Sequence, residues 1–215
     1  MLAYDNPKKT DSRQLIVDVI EEHLEDQQVR MFELLGGGVG AHHYADNLDV
    51  NTMVLVERDS DLYRKFDPFY LGCDSMRYNC SAQKYFKTKF PKTGLGKQFF
   101  NVVNLDFCSW FYDNGKAGCT SRIIEEMFKS EALCDGGLLF FTFQIDGFNL
   151  DLFKINTGKR VPLTPQAISV EIQFLAQKNG YQVVGNDFIF QNVYSSASYC
   201  RGHQMMNIGF KMEKL

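Results

Sequence analysis

Apolar positions along this chain recur at two periods, one helical and one of short continuous runs. From Arg13 to Gln27 the apolar residues Leu15, Ile16, Val19, Ile20 and Leu24 fall at helical spacing, with Asp11 and Ser12 as candidate N-caps. Residues 1–10 are polar and predict a loose arm. Arg30 to Leu35, Thr52 to Val56, Phe99 to Phe107 and Leu138 to Phe143 are apolar runs of the kind that form strands buried on both faces. Phe69 to Asp74 predicts a further short strand ending in an acid. Between these runs lie three helical patterns. Asp59 or Ser60 caps a short helix that Pro68 ends. Thr120 to Leu133 carries Ile123, Ile124, Met127 and Phe128 on one face and stops at Asp135-Gly136-Gly137. Thr164 caps a helix to Asn179, stopped by Gly180. Tyr181 to Phe190 and Met205 to Met212 predict two final strands, with a polar surface loop between them.

About seven strands with helices between most of the first five imply a parallel sheet covered on both faces. The last two strands have no helix between them and are expected to pair antiparallel at one edge.

The chemistry concentrates between Met31 and Asp59. The first buried run stops at Gly36, Gly37, Gly38 and Gly40; a stretch that can be helical follows, then a second run ending in Glu57. Glycines belong where backbone must turn tightly and approach a ligand without a Cβ in the way. An acid about 20 residues on can accept hydrogen bonds from ribose hydroxyls. Strand, glycine loop, helix, strand and acid together propose an adenosine-containing cofactor. His42 and His43 follow the loop, but adjacent helical side chains diverge by about 100°, so they form no metal pair.

This order resembles the class I S-adenosylmethionine-dependent methyltransferase family over roughly residues 30 to 212. The segments that carry the resemblance are ELLGGGVG (Glu33 to Gly40), VLVERD (Val54 to Asp59), VVNLDF (Val102 to Phe107), GGLLFFT (Gly136 to Thr142) and the terminal strand pair. It implies an α/β, three-layer Rossmann-like sandwich around a seven-stranded, mostly parallel sheet with an antiparallel final strand. The domain would occupy residues 30–215, preceded by an arm and helix in residues 1–29. The resemblance implies S-adenosylmethionine as cofactor, with Gly36, Gly38 and Gly40 along its methionine and ribose part. Glu57 would hold the ribose hydroxyls, and Asp74 would sit near the adenine amine. Asp106, ending the fourth strand, would face the methyl-transfer site. The family carries an acid two residues before the first glycine. Here Leu34 holds that position and Glu33 lies one residue earlier, and such a slip turns a strand side chain to the opposite face.

Methyl transfer asks little of a protein beyond placing a nucleophile in line with an activated methyl and steering a proton. Asp106 and Asn104 suit that role, since strand alternation puts both on one face and either oxygen can orient an amine lone pair.

For the acceptor, NLDF (Asn104 to Phe107) is only loosely similar to the Asn/Asp-Pro-Pro-Tyr/Phe motif of methyltransferases acting on base amino groups, because both prolines are missing. LDFCS is similar to the cysteine motif of RNA cytosine-C5 methyltransferases, but Cys108 stands one residue too close to Asp106 to be assigned as nucleophile. Residues 75 to 98 carry Lys84, Lys87, Lys89, Lys92 and Lys97, no acid, and the interleaved rings Tyr85, Phe86 and Phe90. Phe107, Trp110, Phe111 and Tyr112 form a second aromatic group. Both stretches could contact phosphate and stack bases, or both could turn their rings inward as core. The first reading makes a nucleic acid the substrate.

Two other functions fit the same residues. Gly36-x-Gly38-x-x-Ala41 with Glu57 matches a dinucleotide-binding fingerprint, and Tyr85 with Lys89 has Tyr-x-x-x-Lys spacing, which would make the protein an NAD-dependent oxidoreductase. Alternatively, the methyltransferase fold is kept as a catalytically inactive binding subunit.

Composition narrows the class. At 215 residues the chain is one domain or one domain with an extension. A net charge of -3 argues against an overall basic nucleic-acid binder but leaves room for a local basic patch. The 19 phenylalanines point to a Phe-rich core. No apolar run approaches the ~20 residues of a membrane span. The first residues lack the apolar core of a signal peptide. The six cysteines are scattered without a C-x-x-C, which fits reduced thiols in the cytoplasm and no zinc framework.

Overall fold

The computed structural model describes residues 7–107, 111, 120–145, 153–154, 160–161, 164–195 and 204–215. Helix α1 (Pro7–Leu24) leads into β1 (Val29–Leu34), α2 (Val39–Asn47), β2 (Val50–Glu57), α3 (Ser60–Lys65) and β3 (Asp74–Asn79). A short α4 (Ala82–Lys84) continues through a π-turn to Lys89 and a 3-10 turn to Lys92. Then come β4 (Phe100–Asp106), α5 (Thr120–Lys129), β5 (Leu133–Gln144), and the small strands β6 (Phe153–Lys154) and β7 (Arg160–Val161). Helix α6 (Pro165–Lys178), β8 (Tyr181–Val183), β9 (Phe190–Ser195) and β10 (Gln204–Lys214) complete the chain.

The main sheet runs β3-β2-β1-β4-β5-β10-β8, and β9 also pairs with β10. The β3-β2, β2-β1, β1-β4 and β4-β5 pairs are parallel, while β10 lies antiparallel to β5, β8 and β9. As expected, the last strands pair antiparallel at one edge of the sheet: β10 lies between β5 and the edge strand β8. Strand alternation separates two buried clusters. Phe32, Val54, Val103, Leu105, Leu139 and Phe141 face α5 and α6, while Met31, Met53, Leu55, Val102 and Leu138 face α1 and α2. This gives the three layers expected from the alternating strands and helices.

Four element boundaries differ from expectation. Helix α1 begins at Pro7, within the expected arm, because proline is well placed in a first turn and polar Lys8 to Thr10 give no apolar signal. Its buried side is Ser12, Arg13, Ile16, Val17, Ile20 and Leu24, with Leu15 43% exposed. The third strand begins at Asp74; the apolar segment before it is a 3-10 turn, Pro68–Leu71, capped by Asp67 and left through Gly72 at φ 69°. Phe69 and Tyr70 there are exposed, so the apolar run marked no core strand. Asp135-Gly136-Gly137 lies inside β5, since α5 has already ended at Lys129. The expected strand Tyr181 to Phe190 is split by a 3-10 turn, Val184–Asn186, and β9 runs from Phe190 into the start of the expected loop, as far as Ser195.

Candidate active site

The parallel strands all end at one edge of the sheet, where backbone N–H groups and loop side chains meet space that the next helix leaves open. A cavity of about 490 Å³ opens there, lined by Leu34, Gly36, Gly40, Glu57, Asp106 and Phe107 among others. Gly36, Gly37 and Gly38 have φ of 46°, 94° and 88°, the left-handed region that favours glycine. Glu57 ties this turn to β2: one carboxylate oxygen accepts from Gly36 N–H at 3.1 Å and the other from Asp59 N–H at 2.7 Å. Asp59 in turn caps α3, accepting from the N–H groups of Asp61 and Leu62.

The glycines divide their roles. Gly36 and Gly40 line the cavity. Gly38 faces the other way: a Cβ there would lie 2.3 Å from the Phe66 ring. Its glycine requirement comes from packing the turn against the end of α3. A Cβ on Gly40 would lie 2.9 Å from Glu33 Oε1, so Gly40 lets that carboxyl approach the first turn of α2.

Glu33 does reach the cavity, from the α1 side of the sheet, although it precedes the first glycine by three residues. It is 2% exposed. Asn104 Nδ2 donates to Glu33 Oε2 at 2.7 Å and to the Tyr44 hydroxyl oxygen at 3.1 Å. Burial pushes the Glu33 carboxyl well above its ordinary range, and the Asp106 charge adds to this; Asn104, Arg13 and Lys9 oppose it without offsetting it. Burial likewise raises the Tyr44 phenol, with Glu33 and Asp106 adding to the effect.

Asp106 behaves in the opposite sense. Burial works against its charge, but Lys9 and Arg13, with a contribution from the Thr142 hydroxyl, outweigh that and hold it below the usual carboxylate range. Lys9 Nζ is 2.6 Å from Asp106 Oδ2, with both side chains 14% exposed. Asp106 Oδ1 is buried without a partner. Lys9 and Arg13, both from α1, complete the cavity wall. Neither was singled out from the sequence. Arg13 could have been, because it continues the stripe of Ile16, Val17 and Ile20 by one helical turn.

No family model matches the sequence, and no curated protein matches it. Solved structures do match over almost its whole length. TYW2 from M. jannaschii, in complex with AdoMet, is 13% identical at a TM-score of 0.58, covering 99% of this chain and 78% of that one. Trm1 from Pyrococcus horikoshii, in complex with S-adenosyl-L-methionine, is 11% identical at 0.64, covering 98% of this chain and 56% of that one. PH1948 from P. horikoshii, an inferred RNA methyltransferase, is 9% identical at 0.60, covering 99% of this chain and 91% of that one. The chain has the class I methyltransferase fold. The same fold is found in the cyclase SpnF, 12% identical at a TM-score of 0.58, so the fold by itself does not fix the chemistry.

Within this fold, some residues stand apart from the places expected for them. Asp74 pairs with Thr52 at the start of β2, while Asn79 pairs with Glu57 at its end. Five residues of strand, about 16 Å, therefore separate Asp74 from the cavity edge. Asp74 sits at the far end of β3 and is not among the residues that line the cavity. The residues that follow β3, Cys80, Ser81 and Ala82, line the cavity in its place. Asn79 supports them, donating to the Glu57 carbonyl at 2.8 Å.

The lysine-rich stretch resolves into two layers. Tyr85, Phe86 and Phe90 are buried with Phe32 and Phe100 in tilted ring contacts, so these rings pack on one another in the core. Lys84, Lys87, Lys89 and Lys92 are exposed. Lys97 is paired with Glu131 at 2.7 Å. Burial raises the Tyr85 phenol, and its ring belongs to the core, so Tyr85 and Lys89 make no hydride-transfer pair. Phe111 is also core, 5.6 Å from Phe141 and Phe143. Phe107 lines the cavity, while Cys108, Trp110 and Tyr112 lie outside the described residues.

His42 packs on Phe66 at 5.6 Å. Among the described residues no group of three or more metal-ligating side chains occurs, and no helix is long and apolar enough to cross a membrane.

Proposed function

We propose that this protein is an S-adenosylmethionine-dependent methyltransferase whose acceptor is a nucleic-acid base. The observation that carries the cofactor assignment is the joining of the Gly36 turn to the Glu57 carboxylate at the rim of a single cavity that also holds Asp106. Each Glu57 oxygen accepts one backbone N–H and keeps a lone pair for a ribose hydroxyl. Gly36 and Gly40 leave room for the chain that joins ribose to sulfur. Leu34, Val56, Ala82 and Ile123 provide an apolar wall suited to a flat base. The bound sulfonium supplies an activated methyl group. The protein's part is then to orient the acceptor: the free Asp106 Oδ1 accepts an N–H of an incoming amine and turns its lone pair toward the cavity. Asn104 lies below Asp106 and, through Glu33 and Tyr44, keeps that floor in one arrangement.

The nucleic-acid reading is supported by Lys84, Lys87, Lys89 and Lys92. They form no ion pair among the described residues, and their segment starts at the cavity rim with Ser81 and Ala82. With the interleaved rings buried, these lysines would hold phosphates and leave base reading to the cavity. PH1948 supports the same substrate class. The free thiols Cys73, Cys80 and Cys134 agree with a cytoplasmic location.

A second reading, a binding subunit without turnover, is favoured by the Lys9–Asp106 ion pair, which occupies half of the proposed acceptor-orienting group. The oxidoreductase reading loses support because Tyr85 is buried and β10 is inserted antiparallel between β5 and β8.

The test is calorimetric titration with S-adenosylmethionine, S-adenosylhomocysteine and NADH, followed by incubation of labelled donor with RNA, DNA and protein. Saturable binding of the first two and label on nucleic acid is the expected result. Binding of NADH alone would overturn the cofactor assignment. Donor binding without label on any acceptor would favour the binding subunit.

A further inference from the structure

We propose that a small chamber behind Asp106 binds one water molecule, which links β4 to α1 and fixes the direction of the Asp106 carboxylate. The water site rests on geometry alone, and its part in turnover rests on the acceptor reading above. The chamber has a volume of about 10 Å³ and is lined by Arg13, Ile16, Asn104, Asp106, Thr142 and Asn207 among others. Three buried atoms on these residues have no hydrogen-bond partner among the described residues: Arg13 Nη1, Asn104 Oδ1 and Asp106 Oδ1. Arg13 is 6% exposed and Asn104 2%. Buried polar groups are nearly always bonded, because an unpaired one loses its solvation and gains nothing in return.

The other polar groups around the chamber bond to one another. Lys9 holds Asp106 Oδ2, and Asn104 Nδ2 is engaged by Glu33 and Tyr44. The Thr142 hydroxyl donates to Asn207 Oδ1, and Asn207 Nδ2 donates to the Ser12 hydroxyl oxygen.

The three remaining atoms define what fits. One is a donor and two are acceptors. A cation would meet the Arg13 charge and an anion the Asp106 charge, so the occupant is neutral. It must both donate and accept. The volume matches the roughly 10–15 Å³ that a single water needs. A water accepting from Arg13 Nη1 and donating to Asn104 Oδ1 and Asp106 Oδ1 makes about three bonds, the usual number for a buried one. A carboxylate oxygen accepts two bonds, so Oδ1 keeps a lone pair for the N–H of the acceptor. With Lys9 on one oxygen and the water on the other, the carboxylate is held against rotation.

The experiment is a crystal structure of the full chain and of its Thr142→Val and Thr142→Ile variants, with methyl transfer and S-adenosylhomocysteine affinity measured on all three. Thr142 is 1% exposed and lies in β5. Valine removes the hydroxyl and keeps the side-chain volume; isoleucine also adds a carbon that fills the chamber. We expect one water peak in the unaltered protein, about 2.7–3.2 Å from all three atoms. Thr142→Val should keep the water, and its turnover sets the effect of losing the hydroxyl alone. Thr142→Ile should lose the water and turn over about 10²-fold more slowly than Thr142→Val at equal S-adenosylhomocysteine affinity, as expected for a misplaced orienting group. A dry chamber in the unaltered protein, or one closed by direct bonds among the three groups, would overturn the site. Equal turnover of the two variants, with water absent only from Thr142→Ile, would overturn the orienting role. S-adenosylhomocysteine binding without methyl transfer in the unaltered protein would overturn that role together with the acceptor reading, while the density in the chamber still decides the site. That density decides it even if neither variant folds.

Discussion

Lys9 Nζ lies 2.6 Å from Asp106 Oδ2, joining the first turns of α1 to the end of β4. The contact holds one carboxylate oxygen and leaves the other, Oδ1, buried and unpaired. It makes an N-terminal helix part of the cavity wall. It also sets the charge of the group proposed to orient the acceptor.

Asp106→Asn should leave S-adenosylhomocysteine affinity nearly unchanged and lower methyl transfer by about 10²-fold or more, the usual effect of losing a proton-steering group. The same change removes the Asp106 charge from the Lys9 ion pair, and breaking a largely buried pair costs about 3 kcal/mol. Because the Asp106 carboxyl is held below its ordinary 3.8, its contribution to stability is present above that pH and is lost as pH falls through its lowered folded value. Thermal melts of the two proteins should therefore differ at pH 7 and converge in strong acid. Equal turnover in the two proteins would move the active site away from Asp106.

Glu33 has the opposite linkage. Its folded pKa is raised, so the folded state binds the proton more tightly than the unfolded chain does. No penalty arises below its ordinary value of 4.5; the penalty grows as pH rises from there toward the folded value. Glu33→Gln keeps the shape and the hydrogen bonding to Asn104 but removes the titration. Its melting temperature, relative to the unaltered protein, should increase from pH 4 to pH 8. A constant difference across that range would show that Glu33 is not held neutral.

Gly38→Ala tests the packing of the glycine turn. The residue has φ 88°, and the new Cβ would meet the Phe66 ring at 2.3 Å. Strained backbone alone costs about 1–3 kcal/mol. Denaturant unfolding should show at least that loss, and Phe66→Ala in the same chain should recover only the steric part. Full recovery would mean that backbone strain contributes nothing at this position.

The four exposed lysines are tested by charge reversal. Changing Lys84, Lys87, Lys89 and Lys92 together to Glu should weaken RNA binding. It should also flatten the dependence of log affinity on log salt, by about 0.7 for each single-strand phosphate that is no longer neutralised. Cofactor affinity should not change, since none of the four lines the cavity. An unchanged salt slope would remove this surface from the substrate path.

The pattern of residues alone determined the layered α/β fold, because buried parallel strands such as Phe100–Asp106 and the amphipathic α5 have strong periodic signals. It also placed the glycine turn and Glu57 in one strand-helix-strand unit, whereas the hydrogen bond from Gly36 N–H to Glu57 was seen only in the structure. Tertiary structure decided where the signal was weak or the contact distant. The edge strand β3 is half-exposed and polar, so its start at Asp74 was hidden by the apolar but exposed Phe69 and Tyr70. The rings of the lysine-rich segment have the same spacing whether they face a ligand or the core, and only packing on Phe32 and Phe100 put them inside. Placement of β10 between β5 and β8 depends on pairing between residues far apart in the chain. Lys9 and Arg13 belong to the cavity for the same reason: they are ordinary polar helix residues until α1 docks across the ends of β1 and β4.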